Sequence, residues 1–578
     1  MAIARAGGHT YDRRREKFQI RRSDNRAHPK GTELADTQTI PGTSPTPSAK
    51  TGYGTFTRAS SGLVRELSTT DMAWFGIFAA GSVYNFLYIF PGPQAASPGV
   101  SLPLLCLFLF LFALPIFWVY ATLGSAMPRA GGDYIYESRT LSPLIGFVIP
   151  WVTQILFQLA LPAGGGFVVA QFGLSPIFSE LGAHGIANWF AGQTGTFITS
   201  VVCVLICLGI SIAGLRIVRA TQRFVLVPLT VVGVAAIYVV LLSHLGTNFA
   251  DKFAGTNGNG VTVGSVAAFA SKQGYVDHGI SIGHTLLWMC PIGGLVAYTM
   301  FAAQGMLGEV KQASNTRRLF GAFTAAGAVQ AFVIMGLPLL LLVHIVGGRF
   351  LDEYAIASAN GMHLTAAPNL IGLLEVLTSS KLLIILIALG FLAAGLAIPL
   401  VTFLCVSRIV MAMGFDGTIP SQFGDVSERF HSPVKATTAW AILALIVVYI
   451  FNYKPSWETP ILLGGTTTGV LVLGVTATAA LLFPWRAKTI YAAAPAPVKR
   501  RLFGLPLTTI VGAIGAVTSF TMVIVGLTVK QLGLVNTTAR LLLLGAFASG
   551  LVIYYGWRAW QAHRGVDLAL AFRELPPD

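Results

Sequence analysis

Charged side chains are few in this chain. Asp, Glu, Lys and Arg make up 11% of its 578 residues, against about 25% in a soluble domain. With 54% hydrophobic residues and a mean hydropathy of +0.70, that shortage excludes an ordinary soluble fold. Acidic residues are the scarcer sign, 23 against 38 basic, for a net charge of +15. In so apolar a chain the excess bears on membrane orientation, not on nucleic-acid binding. Cysteine is rare too. Cys106, Cys203, Cys207, Cys290 and Cys405 all lie in apolar runs. Their odd number and lack of a pairing pattern argue for packing and against a disulfide framework. No metal-ligand spacing is visible, and no cofactor is implied. Paired carboxylates and nucleophile–base constellations are missing from the apolar runs, which argues against a membrane enzyme. A cleavable signal peptide is not expected, since about 60 polar and basic residues precede the first apolar run.

What is present is a series of apolar runs of membrane-spanning length. Twelve read as helices one to twelve, at 71–92, 101–125, 144–177, 194–214, 223–245, 284–308, 319–346, 381–411, 434–452, 459–484, 506–529 and 540–559. Residues 1–60, rich in Arg, Ser, Thr, Pro and Gly, read as a disordered cytoplasmic tail, and its basic cluster from Arg13 to Arg22 reads either as a solvated run that orients the first helix or as a contact for anionic lipid headgroups. With the N-terminus inside, basic residues gather in the inner loops: Arg129 and Arg139; Arg216, Arg219 and Arg223; Lys311, Arg317 and Arg318; Arg408, Arg429 and Lys435; Arg486, Lys488, Lys499, Arg500 and Arg501. The outer loops hold fewer: Lys252, Lys272, Arg349, Lys381, Lys454, Lys530 and Arg540. Twelve spans with both termini cytoplasmic fit this asymmetry. The outer loops 246–283 and 347–380 are long enough for short helices, and a sequon stands at Asn536.

The stretch Met127 to Phe147, MPRAGGDYIYESRTLSPLIGF, organises the rest. Pro128 cannot continue a helix. Gly131 and Gly132 permit backbone angles closed to other residues. DYIYESRT then reads as a short amphipathic helix, with charges on one side and Ile135 and Tyr136 on the other, ended by Ser142 and Pro143. This order of residues resembles the loop between the second and third helices of the amino acid–polyamine–organocation (APC) permeases, where Pro-x-x-Gly-Gly-x-Tyr precedes a short Arg-containing helix. Four more segments carry the resemblance. GLRIVRATQR, 214–223, is similar to the family's Gly-Val-Arg/Lys loop. GEVKQASNTRR, 308–318, resembles its Glu-Glu-Val-Lys-Asn-Pro segment, with Gly308 for the first Glu and no Pro. SRIVMAMGFDGTIPSQF, 407–423, resembles its Ser-Arg…Met-Ala-x-x-Asp-Gly-x-x-Pro segment, and GVDLALAFRELPP, 565–577, the tail of one branch.

The resemblance implies an all-α polytopic membrane protein built on two inverted five-helix repeats, about 61–245 and 284–485, in a transport core of 61–485. Helices eleven and twelve, 486–560, and a cytoplasmic tail, 561–578, would follow. It also implies that helices one and six break at mid-membrane, where half-helix N–H groups suit a carboxylate and free carbonyls suit an ammonium. The family's Gly-x-Gly falls on Ser82, Val83 and Tyr84, beside Gly81, and the helix-six break falls on Ala297, Tyr298 and Thr299. Substrate-binding candidates are therefore Ala80, Gly81, Ser82, Val83, Ala297, Tyr298 and Thr299. Polar side chains within apolar helices add Gln154 and Gln158, which share a face at i, i+4, and Thr402; these, like Thr466, Thr467 and Thr468, could equally serve hydrogen bonds between helices. Arg129, Glu309 and Arg318 are candidates for a cytoplasmic gate.

The expected function is transport of amino acids or related small amines by alternating access, secondary active or facilitative, across the plasma membrane. The expected partners are that small-molecule substrate and the lipid bilayer, with no nucleic acid. A permease-like sensor without net transport stays open, because Val83 and Tyr84 stand where the family has glycine. The coupling ion is not legible. Proton-coupled relatives carry a lysine near the position of Pro228 or Leu229, and helix five here has none. Sodium-coupled relatives use helix-eight hydroxyls, and AAGLAIPL, 393–400, offers none. No Asp or Glu falls at mid-membrane in this reading. Sodium is therefore not expected to be required, and any proton dependence is expected from the substrate or a peripheral group.

Overall fold

The computed structural model describes residues 63 and 65–572, apart from 258–259, 368, 533–536, 567 and 569–571. The tail 1–60 with its basic cluster, the Asn536 sequon and most of the segment 565–577 lie outside the described residues. Among those described, ten helices are long and apolar enough to cross a membrane: Leu102–Ala126, Pro143–Glu180, Gln193–Ile212, Leu215–Ser243, Thr316–Val346, Lys381–Phe415, Val434–Tyr453, Gly464–Arg486, Leu507–Thr528 and Thr537–His563. They are helices two to five and seven to twelve of the sequence reading. Helices one and six are absent from that set because each is divided. Helix one runs Thr69–Ala79, Ser82–Asn85, Phe86–Ile89 and Gly92–Ala96. Helix six runs Ile282–Ile292, Gly294–Ala297, Tyr298–Met300 and Ala302–Gly305. A single two-residue hairpin, Arg501–Leu502 with Leu505–Pro506, is the only paired sheet among the described residues. The protein is an all-α polytopic membrane protein.

Helix eight, Lys381–Phe415, is the central element, buried from Ile384 to Gly414 on most of its circumference. Helix three packs on it closely. A Cβ on Gly165 would lie 2.4 Å from the Gly395 carbonyl oxygen, the small-residue contact by which helices approach where no hydrophobic force draws them together. Helices four, five, nine, eleven and twelve form the rim and turn Leu205, Phe224, Val517 and Val552 outward, as lipid-facing surfaces do. Helix five begins at Leu215, earlier than expected. GLRIVRATQR is its first turns and not a loop, because Leu215 and Val218 bury one face and Gly214, at φ +98°, makes the reversal from helix four. The two long outer loops fold into Phe249–Asn257 and Val263–Lys272, and into Gly348–Ala359 and Leu370–Leu377.

Candidate functional site

Helix one starts with a capping box. The Ser68 hydroxyl accepts from the Asp71 N–H at 3.1 Å, and the Asp71 carboxylate accepts from the Ser68 N–H at 3.1 Å. The helix ends at Ala79 because Gly81 sits at φ +102°, followed by Ser82 at +47°. A break leaves carbonyls without helical partners. Two are met by side chains: Asn85 Nδ2 donates to Ala80 O at 2.5 Å, and Gln330 Nε2 to Ser82 O at 3.1 Å. The middle of helix six lies directly against helix one. A Cβ on Gly76 would sit 1.9 Å from the Thr299 carbonyl oxygen.

Between the two breaks lies a cavity of about 40 Å³. Helix one contributes Ala80, Gly81, Tyr84 and Asn85, and helix six contributes Leu295, Tyr298 and Phe301. Phe157, Gln158 and Leu161 come from helix three, Ile398 and Thr402 from helix eight, and Thr466 from helix ten. Pockets for small organic ligands usually measure about 300–1,000 Å³, so this cavity is far smaller than a filled ligand site. Two of its polar residues carry buried acceptors without a hydrogen-bond partner among the described residues, Asn85 Oδ1 and Gln158 Oε1. Among the described residues no Asp, Glu, Lys or Arg lines it. Unpaired acceptors between half-helix ends and apolar walls suit a small zwitterion better than a net charge.

The structure brings together part of the expected set. Ala80, Gly81, Gln158, Tyr298 and Thr402 line the cavity; Ser82, Val83, Ala297, Thr299 and Gln154 are buried but do not. Ser82 serves through its carbonyl, and the Thr299 hydroxyl donates to Val296 O at 2.9 Å. Two glycines of helix ten were missed, although the GGTTTG run carries the small-xxx-small signal of helix contacts. A Cβ on Gly469 would lie 1.7 Å from the Tyr298 hydroxyl, and one on Gly465 1.4 Å from the Phe157 ring. They give space to the two aromatic walls. Gly469→Ala should therefore push Tyr298 into the cavity and weaken substrate binding about tenfold or more, a change of about 1.4 kcal/mol. Adding Tyr298→Phe should restore part of the loss. Titration of both variants checks this, and unchanged binding in Gly469→Ala would contradict it.

The end of the bundle beneath this cavity is closed by a set of ties. Leu67 N–H donates to Glu309 O, and Lys311 N–H to Leu67 O, both at 2.9 Å, in a parallel bridge between Leu67 and Val310. The Glu309 carboxylate takes two hydrogen bonds from Arg408 of helix eight, at 2.9 and 3.0 Å, wholly buried. Arg318 donates to the Thr69 hydroxyl at 2.5 Å and to Gln312. Arg129 is half-buried, and its chain neighbour Ala130 lies against Gly308. Of the three gate candidates, Glu309 is held by Arg408 and Arg318 by Thr69 and Gln312.

The loop helix Gly132–Thr140 corrects the sequence reading. All nine residues are buried, charges included, so it has no solvated face. Gly132 makes this possible: a Cβ there would lie 2.1 Å from the Gln304 backbone. Gly131 N–H donates to Gly305 O at 3.0 Å and Tyr136 to Ala303 O at 2.9 Å, fixing the helix to the end of helix six. Arg139 pairs with Asp416 at 2.6 Å, also buried, and Tyr134 donates to the same carboxylate at 2.8 Å. Asp133 and Glu137 meet in the interior, where no acidic pair was expected. Asp133 accepts from Gln154 at 2.7 Å and Gln304 at 3.0 Å. The Thr476 hydroxyl stands 3.3 Å from Asp133 and 3.0 Å from Glu137. Burial raises both carboxyls above the usual range, and the Asp133 charge adds to the effect on Glu137.

Comparison with known proteins agrees with this architecture. A family model described as "Amino acid permease" matches residues 67–547. A curated protein of Arabidopsis thaliana, "Cationic amino acid transporter 2, vacuolar", is 22% identical over 404 residues, 68% of this chain and 56% of that protein. The aligned part is thus little more than half the length of that relative. Two divided helices around a small cavity, a loop with the Gly-Gly-x-Tyr signature and a match over most of the chain lead to one conclusion: the chain belongs to the amino acid permease family, within the APC superfamily.

Proposed function

We propose that this protein transports a small neutral amino acid by alternating access, with the cavity between helices one, three, six, eight and ten as its binding site. The observation that carries the reading is the pair of buried, unpartnered acceptors, Asn85 Oδ1 and Gln158 Oε1, at a break in helix one. They suit an α-ammonium group, and the exposed ends of the divided helices suit the α-carboxylate. The apolar walls are Leu161, Leu295, Phe301 and Ile398, and the described lining offers a cationic side chain no counter-charge. The end bearing Glu309–Arg408 and Arg139–Asp416 faces the cytoplasm in this reading, with both termini, because the basic loop residues concentrate there. Glu309 and Arg318 close that end through Arg408 and Thr69, and Arg129 supports the segment beside Gly308.

The test is uptake of labelled amino acids into liposomes holding the purified protein. Alanine or a similar neutral amino acid should enter, exchange in counterflow and outcompete lysine. Gln158→Leu should reduce uptake about tenfold or more, since it removes a buried acceptor worth roughly 1–3 kcal/mol. Uptake should be equal in sodium, potassium and choline at clamped potential, because Ala393 to Leu400 presents no side-chain oxygen to helix one. Preference for lysine or steep sodium dependence would overturn the substrate and coupling readings. Binding without uptake would replace the transporter with a sensor.

A further inference from the structure

The acidic pair on the loop helix has a hydrogen-bond count that ionised carboxylates do not satisfy. Thr476 has one hydroxyl proton and lies within reach of two carboxyl groups, Asp133 Oδ1 at 3.3 Å and Glu137 Oε1 at 3.0 Å. It donates to one; the other contact needs a proton on the carboxyl. The surroundings say which. Asp133 has donors in Gln154 and Gln304, and the Tyr120 hydroxyl also reaches it, a setting that supports a charge. Among the described residues Glu137 has only Thr476, and its Oε2 is buried without a partner. An ionised Glu137 would leave a charged oxygen unsolvated, whereas a protonated one donates to Thr476 and frees that hydroxyl for Asp133. Outside the pair itself, Gln304 points in with Nε2 on Asp133, and its own Oε1 is buried and unpartnered.

The other ionisable groups around the pair do not neutralise it. Helix two presents Tyr120, helix six Tyr298, and helix eight Cys405 together with Arg408, which is bound to Glu309. The loop helix adds Tyr134, Tyr136 and Arg139, the last bound to Asp416. Helices three and ten contribute amide and hydroxyl groups, Gln154 and Thr476. Among the described residues no Lys or Arg forms an ion pair with Asp133 or Glu137.

The pair is also joined to the cavity. Gln158, which lines it, donates to Gln154 Oε1 at 3.2 Å, and Gln154 donates to Asp133 at 2.7 Å. Gln304 belongs to the last piece of helix six, so any separation of helix six from the loop helix removes a donor from Asp133 and admits water to Glu137.

We propose that Asp133 and Glu137 form a proton-binding site, Glu137 holding the proton and Asp133 the charge while this end of the protein is closed, and that opening this end releases the proton. The step is a simple ionisation of the Glu137 carboxyl, with the proton passing to water on the newly opened side. Closure takes a proton up, so rising pH favours the open arrangement and falling pH the closed one. The release step rests on the transport reading above; the proton site itself does not.

Infrared spectroscopy of the full chain in lipid tests the site without any substrate. At neutral pH the wild type should show the carbonyl stretch of a protonated carboxylic acid, lost as the pH is raised. Glu137→Gln, close in shape to the protonated acid, should remove that band, and Asp133→Asn should lower the pH at which it is lost. Thr476→Val, which keeps both acids, should shift its midpoint. A wild type without the band, or a band that survives in Glu137→Gln, overturns the site. For the release step, counterflow is measured across a range of pH, equal on both sides. Its rate in the wild type should change by up to about tenfold per pH unit, the limit for one proton bound or released on opening, and Glu137→Gln should lose that response. A wild type that exchanges substrate in counterflow without any such pH dependence overturns the release. A wild type that moves no amino acid overturns the transport reading, while the infrared band still decides the site.

Discussion

Replacing Arg408 by methionine should leave little folded protein. Its guanidinium lies at the end of helix eight with no exposure and donates twice to Glu309, Nε to Oε2 at 3.0 Å and Nη2 to Oε1 at 2.9 Å. Methionine fills similar space but strands the Glu309 carboxylate, which is 1% exposed. Removing one partner of a buried pair costs about 3–5 kcal/mol, a large share of the roughly 5–15 kcal/mol that holds a folded protein together. Removing both charges is a different experiment. Arg408→Met combined with Glu309→Leu strands no ion and should recover most of the lost stability. Melting curves of single and double variants read the difference. A single variant as stable as wild type would show that this pair does not fasten helix eight to the segment after helix six.

Gly81→Leu should abolish substrate binding. The residue stands at φ +102°, where a side chain costs roughly 1–3 kcal/mol. The first atom of that side chain would also lie 2.3 Å from Asn85 Oδ1, one of the two unpartnered acceptors at the cavity. Leucine therefore both strains the break and covers the group assigned to the substrate's ammonium. Gly81→Ala carries the strain and the contact with Asn85 but not the further bulk of leucine. It should bind about tenfold more weakly, which corresponds to about 1.4 kcal/mol, with a smaller loss of thermal stability. Ligand-induced stabilisation, measured by melting with and without amino acid, distinguishes lost binding from lost folding. Wild-type uptake by Gly81→Leu at normal expression would place the substrate elsewhere.

The helices themselves were legible, because length and apolarity mark a membrane helix without help from its neighbours. All twelve expected spans have counterparts, and the two expected to be divided are divided at Gly81 and at Gly293 to Met300. The loop helix was legible in place but not in burial. DYIYESRT has the charge pattern of a surface helix, and nothing local says that Gly132 lets it press against Gln304. For the same reason Asp133 and Glu137 read as solvated charges, although helices two, three, six and ten close over them. Gln154 and Gln158 were noticed as polar residues on one face. Only the assembled structure shows that Gln154 serves the acid pair and Gln158 the cavity. The partner of Glu309 lies 99 residues away in sequence, beyond the range of any local pattern.

The bridge between Leu67 and Val310 is made of backbone alone. Its two hydrogen bonds do not pass through the side chains, which are buried at Leu67 and Val310, so exchange for another apolar residue of similar size leaves the fastening whole; proline at position 67 or 311, which lacks the donor, does not. Length is another matter. Leu67 is followed at once by the Ser68 cap and the first turn of helix one, so one residue added or removed there moves the strand register and the helix start against each other. This junction is tolerant of spelling and intolerant of counting.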